Sequence, residues 1–382
     1  MRSRCSVARM PSDRRARSRP SSTPPRPAKP SASSSRSRRT SKERQSRADE
    51  DARLLRRARR VAVTERIRWG LLSTARINTA ILNGAHESDS AEVIAVASRD
   101  RERALAYAAE HGIERAYGSY PALLGDQDVD AVYISLPNSM HVEWTIWALD
   151  AGKHVLCEKP FDRRPDEVER AFDAAARNGC LLMEAFMYRH HLQTYALKQL
   201  VASGRIGRLR HIRTAFSFTL DDLEDVRLQP ELAGGALMDL GCYCVNASRL
   251  LAGEPGLVIG RQIVGPTGVD VRFVGGLEFP GEVTAEFHCG FDLPYESALE
   301  AIGSERSVFV PEPWLCRDPH LELDGERIDV QDADRYQLQL ENFAAAIRGN
   351  AQPLLDRADA VGQARVIDGL YRSATSGAAV SL

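Results

Sequence analysis

Reactive side chains follow directly after an apolar run in HVLCEKP, residues 154–160. The apolar residues 155–157 predict a short buried strand, and Glu158 and Lys159 come at its end. A charge in such a place costs free energy unless another group pairs with it or uses it. The pattern therefore indicates a site for a carboxylate and an ammonium group at the end of this strand.

A second pair of reactive side chains lies in GGALMDLGCY, residues 234–243. Asp239 and Tyr243 are four residues apart in a helix predicted around 237–252, so they share one helix face. A free tyrosine, with a pKa of about 10, is a poor base at neutral pH, and a nearby cation would lower that pKa. The pair indicates proton chemistry, whereas the alternative for Tyr243 is an ordinary core aromatic.

The elements that must position these residues alternate between strand and helix from residue 66 to about residue 187. Apolar strands are predicted at IRWGLL, EVIAVAS, VDAVYISLP, KHVLCEKP and CLLMEAF, with a helix after each of the first four. This alternation predicts a doubly wound α/β domain, a Rossmann-type parallel sheet covered on both faces, over residues 66–187. Successive strands without intervening helices predict an α+β domain with an open, mainly antiparallel sheet over residues 188–382.

The turn after the first strand, GLLSTARIN, lies where such a sheet binds the phosphates of a dinucleotide. The expected pattern is G-x-G-x-x-G/A, but Ser73 and Ala75 replace the first two glycines and Asn78 replaces the third. Small residues still allow close backbone approach, and the hydroxyl groups add donors, so a cofactor turn and an ordinary strand–helix turn both remain open. The residues predicted to bind the cofactor here are Ser73, Thr74, Ala75, Arg76 and Ile77.

The end of the second strand, ASRD, indicates which dinucleotide is bound. An acidic residue there would hold the ribose hydroxyls of NAD, but this chain has Ser98 and Arg99. A hydroxyl and a guanidinium suit a 2′-phosphate, because arginine pairs with phosphate through two charge-assisted hydrogen bonds. The sequence therefore predicts NADP rather than NAD, and the alternative for Arg99 is a solvated residue that begins a helix.

From about residue 66 to its C-terminus, the chain resembles the Gfo/Idh/MocA oxidoreductases, the group of glucose–fructose oxidoreductase, inositol dehydrogenase and dimeric dihydrodiol dehydrogenase. The resemblance is carried by SLPNSMHVEWTIWALDAGKHVLCEKP and GGALMDLGCY, which occur in the family's order. MEAFMYRHH, residues 183–191, and GGALMDLGCYCVNASRLLAGEP are most similar to the dihydrodiol, xylose and glucose–fructose branch. Tyr243 stands where inositol dehydrogenases carry a histidine.

The resemblance implies roles for the residues at the strand ends. Lys159 would lie beside the nicotinamide and the substrate hydroxyl, with the Lys159–Pro160 bond often cis. Lys159 and Tyr243 would form a proton relay, and Asp239 would bind a substrate hydroxyl or orient the lysine. The other residues that the resemblance assigns to cofactor binding are Leu136, Pro137, Asn138, His141, Glu158 and Arg189.

The function implied by the resemblance is hydride transfer between NADP and a carbinol carbon of a sugar or cyclic polyol. An aldose 1-dehydrogenase is the main hypothesis, and a 3-keto sugar reductase, possibly on nucleotide sugars, or a trans-dihydrodiol dehydrogenase are the alternatives. A hypothesis of another class is a non-catalytic dinucleotide-binding regulator. A regulator would have no reason to keep Lys159, Asp239 and Tyr243 together, which disfavours that hypothesis.

The first 63 residues are rich in Arg, Ser and Pro and contain few large apolar residues. They are predicted to be a disordered basic tail, with a nucleic-acid tether, a transit peptide or a twin-arginine export signal as alternatives; nucleic-acid binding is not expected. No stretch approaches the ~20 apolar residues of a membrane span. The 7 cysteines are scattered without metal-ligand spacing, so we expect no metal site and a reducing, cytoplasmic location.

Apolar residues in the C-terminal strands predict how the second sheet is covered. One register places these residues on a covered face: Phe216, Phe218, Phe273, Leu277, Phe279, Phe287 and Phe291. The other face is expected to carry Val271, Val274 and Ala285, which is more apolar surface than a monomer usually leaves exposed. The resemblance implies that this face is a dimerisation surface, so we predict a homodimer with each active site within one chain.

Overall fold

The computed structural model describes residues 66–382, and the predicted basic tail lies outside the described residues. The apolar segments that alternate with helices form a parallel sheet. Its order is β3-β2-β1-β4-β5-β6, so the chain reverses direction across the sheet between β1 and β4. The strands are β1 (Ile67–Leu72), β2 (Ala91–Ala97), β3 (Arg115–Tyr117), β4 (Ala131–Ile134), β5 (His154–Cys157) and β6 (Leu182–Glu184).

Helices connect these strands and cover the sheet, because each crossover between parallel strands must pass over one of its faces. They are α1 (Asn78–Glu87), α2 (Arg101–His111), α3 (Tyr120–Leu124), α4 (His141–Asp150) and α5 (Pro165–Asn178). Local signals fix their ends, as α2 shows. The Asp100 carboxylate accepts hydrogen bonds from the backbone at its start, and Gly112, with φ 67°, ends it in the left-handed conformation that glycine favours.

The second sheet has nine strands, in the order β14-β13-β12-β11-β7-β10-β9-β8-β15. Only β7 and β10 pair in parallel, and every other pairing is antiparallel. The fold class predicted from the sequence is therefore confirmed. The strands are β7 (Leu209–Ser217), β8 (Leu257–Val264), β9 (Asp270–Phe279), β10 (Val283–Gly290), β11 (Glu296–Gly303), β12 (Ser307–Pro311), β13 (His320–Leu323), β14 (Glu326–Asp329) and β15 (Val380–Ser381).

The helices of the second half pack on both sheets. They are α6 (Leu192–Ala202), α7 (Cys242–Ala252), α8 (Arg335–Ile347) and α9 (Arg357–Ser376). Helix α8 packs on α1, and the Phe343 ring lies 5.7 Å from the Trp69 ring of β1. Helix α9 lies against both α5 and β8, so the two halves of the chain share one apolar core.

The inner face of the second sheet is apolar as expected, but two residues predicted on its outer face were placed wrongly. Ala285 is buried, and Val271 packs against the core. Along β9 and β10 these residues alternate in phase with Phe273 and Phe287 rather than with Val274, and side chains two residues apart share a face. Of the three residues predicted on the outer face, only Val274 is exposed.

Within residues 66–382, no helix is long and apolar enough to span a bilayer.

Candidate active site

Most of the residues singled out from the sequence lie at the carboxyl ends of β1, β2, β4 and β5, which are neighbours in the first sheet. Carboxyl ends of parallel strands meet at one edge of a sheet, where the reversal in strand order opens a crevice. The alternation of strands and helices along the sequence therefore becomes a cluster in space.

The turn after β1 is held by side-chain hydrogen bonds at the positions where glycines were expected. Ser73 has φ 142°, and its Oγ lies 2.7 Å from Ser135 Oγ and accepts a hydrogen bond from the Ala75 N–H at 3.0 Å. The Asn78 amide donates to the Ser73 carbonyl oxygen at 2.8 Å, and the Ser135 hydroxyl donates to Asn78 Oδ1 at 2.6 Å. Three polar side chains thus brace a turn that glycines usually form.

This turn leaves donors for a phosphate group. The backbone N–H groups of Arg76 and Ile77, just before α1, have no hydrogen-bond partner within residues 66–382. The Arg76 side chain is exposed beside them, and Thr74 and Ala75 are partly exposed. Free N–H groups at a helix start together with a cationic side chain suit the pyrophosphate of a dinucleotide.

The end of β2 provides a second set of donors. Ser98 is buried and its Oγ accepts a hydrogen bond from the Asp100 N–H at 3.2 Å, while Arg99 is exposed. The Asp100 carboxylate is engaged at the start of α2, where it accepts from the Glu102 and Arg103 N–H groups. The acidic residue is therefore committed to capping, and a hydroxyl and a guanidinium remain to fit a 2′-phosphate.

The loop after β4 is tied to two other parts of the site. His141 is fully buried, and its ring nitrogens lie 2.8 Å from the Leu136 carbonyl oxygen and 2.9 Å from the Pro160 carbonyl oxygen. The Asn138 amide donates to the Ala233 carbonyl oxygen at 3.0 Å. Pro137 lies between Leu136 and Asn138 in the sequence of this loop. His141 thus braces the loops after β4 and β5, and Asn138 connects them to the segment before α7.

At the end of β5, the two charged residues are both engaged. Glu158 accepts a hydrogen bond from the Tyr133 hydroxyl on β4, and burial raises the pKa of its carboxyl above the usual value. The Lys159 ammonium donates to Asp239 Oδ1 at 2.8 Å and to the Asp239 carbonyl oxygen at 2.9 Å. The Lys159–Pro160 peptide bond is cis. The partly buried Glu158 and Lys159 side chains therefore have specific partners in both halves of the chain.

The Asp239 carboxylate is shared between two cations. Its second oxygen lies 3.0 Å from Arg227 Nε. Burial acts against ionisation of Asp239, but the charges of Lys159 and Arg227 outweigh it and hold the pKa of the carboxyl below its usual value. Burial likewise disfavours the ammonium, yet the Asp239 charge outweighs it and holds the pKa of Lys159 well above its usual value. The resting pair is therefore ionised.

Tyr243 lies against the same lysine. The Lys159 Nζ is 4.8 Å from the centroid of the Tyr243 ring, and within the described residues the phenol donates only to Met187 Sδ, at 3.5 Å. Burial holds the pKa of the Tyr243 phenol well above the usual value and outweighs the neighbouring Lys159 ammonium, which lowers that pKa as expected. The rings packed around it belong to Phe186, Tyr188, Phe216 and Trp314.

Asp239 lies in a π-helical turn, Leu237–Gly241, immediately before α7, which begins one residue before Tyr243. The change from a π-turn to an α-helix alters the simple four-residue periodicity assumed from the sequence. Both side chains nevertheless reach Lys159, so the structure brings together the three residues predicted to act in proton transfer.

Arg189 is the one predicted site residue that the structure places apart from this cluster. Its guanidinium lies 3.1 Å from Asp359 Oδ2 of α9 and donates to Asn246 Oδ1 of α7 at 3.0 Å. Its charge is used to join two helices of the second half.

Comparison with known proteins identifies the family. The family described as "Oxidoreductase family, NAD-binding Rossmann fold" matches residues 67–186, and the "GFO/IDH/MocA C-terminal domain" matches residues 194–309. The chain belongs to the Gfo/Idh/MocA oxidoreductase family.

Similar members of this family have described activities. D-xylose 1-dehydrogenase (NADP(+)) 2 of Haloferax volcanii is 40% identical over 327 residues, which cover 82% of this chain and 99% of the relative. The aldose-aldose oxidoreductase of Caulobacter crescentus, solved with glycerol, superimposes with a TM-score of 0.78 at 28% identity, covering 83% of this chain and 100% of that one. A 3-ketoreductase from Actinomadura kijaniata, solved with NADP and TDP-benzene, has a TM-score of 0.76 at 31% identity, covering 81% and 98%.

Four residues of this Gfo/Idh/MocA protein enter the site without having been predicted there: Tyr133, Ser135, Asn78 and Arg227. Asn78 was noticed only as a missing glycine, and its hydrogen bonds to Ser73 and Ser135 could have been expected from that substitution. Tyr133 and Ser135 lie at the end of a predicted strand, where the sequence does not show which side chains face the site and which face away from it. Arg227 lies in an irregular segment with no periodicity that could have signalled it.

Proposed function

We propose that this protein is an NADP-dependent aldose 1-dehydrogenase. The observation that carries the proposal is the Lys159 ammonium, held by Asp239 and lying against the Tyr243 ring at the carboxyl end of β5. An ammonium and a phenol at the edge of a dinucleotide-binding sheet are groups that can bind and exchange protons with a sugar hydroxyl. The 40% identical relative is a D-xylose 1-dehydrogenase that uses NADP(+), which supports an aldose substrate such as D-xylose or D-glucose.

The chain's own residues would bind the cofactor and orient the sugar. The bound nicotinamide supplies the hydride acceptor. The N–H groups of Arg76 and Ile77 would hold the pyrophosphate, and Ser98 with Arg99 would hold the 2′-phosphate, which accounts for a preference for NADP. Residues 66–187 form the NADP-binding domain and residues 188–382 the substrate domain.

Proton handling falls to Lys159 and Tyr243. The Lys159 ammonium donates a hydrogen bond to the reacting oxygen of the sugar. The phenolate form of Tyr243, present once the phenol has released its own proton to solvent, accepts at Oη the proton that this hydroxyl loses. Asp239 keeps the ammonium in place, and the surrounding aromatic rings exclude water. Because the pKa of Tyr243 and that of Lys159 are both raised, their protonated forms prevail at neutral pH. Oxidation, which needs a base, is therefore favoured at alkaline pH.

The same protonation states favour a second candidate, a 3-keto sugar reductase. Reduction of a ketone needs a proton donor, and Tyr243 and Lys159 are donors at neutral pH. The similar 3-ketoreductase solved with NADP and TDP-benzene supports a nucleotide-linked substrate for this alternative.

The test uses purified protein in two assays. In the first, NADP and a panel of aldoses are supplied and the formation of NADPH is followed by its absorbance. In the second, NADPH and a 3-keto nucleotide sugar are supplied and the loss of NADPH absorbance is followed. We expect turnover of D-xylose or D-glucose that rises from neutral to alkaline pH, and weaker activity with NAD. Turnover of the keto sugar alone would replace the first proposal with the second. Absence of turnover with every substrate would contradict both.

We also propose a homodimer formed through the outer face of the second sheet. This face carries an ion pair of Arg213 with Glu286 at 3.1 Å and a contact of 3.0 Å between His288 Nε2 and the Glu296 carboxylate, so it is more polar than the sequence suggested. Exposed apolar residues line its β8–β9 side: Ile259, Ile263 and Val274. A twofold contact would bury this apolar strip and let charges pair between copies.

Light scattering at micromolar concentration is expected to show a dimer, and V274E is expected to weaken it because it places a charge in the apolar strip. L105E, a matched change at an exposed residue of α2, is the control and should remain dimeric. A wild-type monomer, or a V274E dimer as stable as wild type, would contradict the proposed surface.

A cytoplasmic location is proposed from the cysteines. The six within the described residues are buried free thiols, the state in which a reducing compartment keeps cysteines.

A further inference from the structure

Arg227 lies on the segment between β7 and the π-turn, and its guanidinium is bound on two sides. Its Nε is 3.0 Å from Asp239 Oδ2, and its Nη1 lies 3.1 Å and 3.2 Å from the two oxygens of Asp225. The Asp225 carboxylate also accepts from the Arg227 backbone N–H at 2.9 Å. The side chain therefore has one orientation relative to the carboxylate that binds Lys159.

The backbone of Arg227 is held against the start of the same π-turn. Its carbonyl oxygen accepts a hydrogen bond from the Gly235 N–H at 2.9 Å. A Cβ at Gly234 would lie 2.3 Å from that oxygen, and Gly235 has φ 125°, so both positions favour glycine. The two glycines of GGALMD thus permit a close contact that holds the Arg227 backbone beside the residues just before the π-turn that carries Asp239.

We propose that Arg227 is a positioning residue: it holds one oxygen of Asp239 so that the other faces Lys159, and its charge limits the proton affinity of the Lys159–Tyr243 pair. A carboxylate shared between two cations neutralises each of them less than it would neutralise one alone. Without Arg227, the full charge of Asp239 would act on Lys159 and indirectly on Tyr243. This inference rests on the proposed dehydrogenase function.

Other ionisable groups contribute to the same field, and the test must allow for them. The groups that act on Lys159 or Tyr243 from the neighbouring elements are Glu158 after β5, Asp239 in the π-turn, Cys242 in α7 and Tyr336 in α8, with Asp225 beside Arg227. None of these is changed in a variant of Arg227, so a difference between variants reports on that guanidinium.

The experiment compares R227M and R227Q with R227K, which keeps the positive charge. In the profile of kcat/KM against pH for aldose oxidation, the rise with pH reports the group that must lose its proton. Removing a nearby cation makes that loss harder, so the rise should move to higher pH in R227M and R227Q and stay near the wild-type position in R227K. R227Q keeps a donor for Asp239 Oδ2 and therefore separates the charge from the hydrogen bond.

A second measurement does not depend on turnover. Loss of the Arg227 charge should favour binding of the cationic, oxidised nicotinamide. The ratio of the NADP⁺ and NADPH dissociation constants, measured by protein fluorescence, should therefore shift about three- to tenfold towards tighter NADP⁺ binding in R227M and R227Q.

If the ratio shifts in proteins that oxidise no aldose, the inference stands and the proposed function fails. If all three variants lose activity equally without either shift, Arg227 has only a structural role and the inference is wrong. If R227M does not fold, the comparison of R227Q with R227K still tests the effect of removing the positive charge.

Discussion

Replacement of Lys159 by methionine is expected to lower kcat/KM for aldose oxidation by about 10²- to 10⁴-fold, the range of a positioned acid–base group. The reason is that the Lys159 ammonium is the cation that binds the reacting oxygen and keeps Tyr243 in reach of it. Methionine has a similar length and fills the same space. Asp239 retains Arg227 as a partner, so the buried carboxylate is not left without a cation.

The control for this variant is K198M, at an exposed lysine of α6, which should keep wild-type activity. The dissociation constant for NADP, followed by fluorescence, should change far less than kcat/KM in K159M, since Lys159 acts on the sugar and not on the phosphates. Loss of less than about tenfold in kcat/KM would show that Lys159 is not a proton-handling group.

The second large effect is expected at the cofactor end. Replacement of Arg99 by glutamine should reduce the preference for NADP over NAD, as the ratio of their kcat/KM values, by about 10- to 100-fold. Hydrogen bonds to charged groups contribute about 1.5–3 kcal/mol, and glutamine keeps the size of the side chain while removing its charge. The value of kcat/KM with NAD should be nearly unchanged, because NAD has no 2′-phosphate.

Arg101, exposed at the first position of α2, offers a matched control for Arg99. R101Q should keep the wild-type preference, because this arginine does not directly follow Ser98 at the end of β2. An equal loss in R101Q and R99Q would mean that the general positive field of this helix start, rather than Arg99, selects NADP. An unchanged preference in R99Q would contradict the proposed 2′-phosphate site.

The outer face of the second sheet shows where local patterns were ambiguous. Val271 and Ala285 were expected beside Val274, but they alternate in phase with Phe273 and Phe287 and pack inwards. A run of apolar residues on a strand does not state which neighbour is inward, since one residue of register moves every side chain to the other face. The neighbouring strands decide the register.

Proton affinities in the site were also beyond local reasoning. From the residue types, a lysine beside Tyr243 should lower the pKa of the phenol, but burial among aromatic rings raises it. The balance depends on how much solvent the fold removes, and on Arg227, which reaches Asp239 from an irregular segment. The spacing of residues along the chain predicts neither the extent of burial nor this contact between Arg227 and Asp239.

The sequence by itself determined the fold class and the residues at the strand ends, because alternating apolar periodicity and short motifs are local properties of the chain. Parallel strands bring their carboxyl ends to one edge, so the alternation alone predicted that Ser73, Ser98 and Lys159 lie along the same edge of the sheet. The tertiary structure alone decided the partners of Lys159, the bracing of the glycine-poor turn by Ser135 and Asn78, and the use of Arg189 in an ion pair with α9. Those contacts join residues distant along the chain, and their geometry depends on how two sheets and their helices pack together.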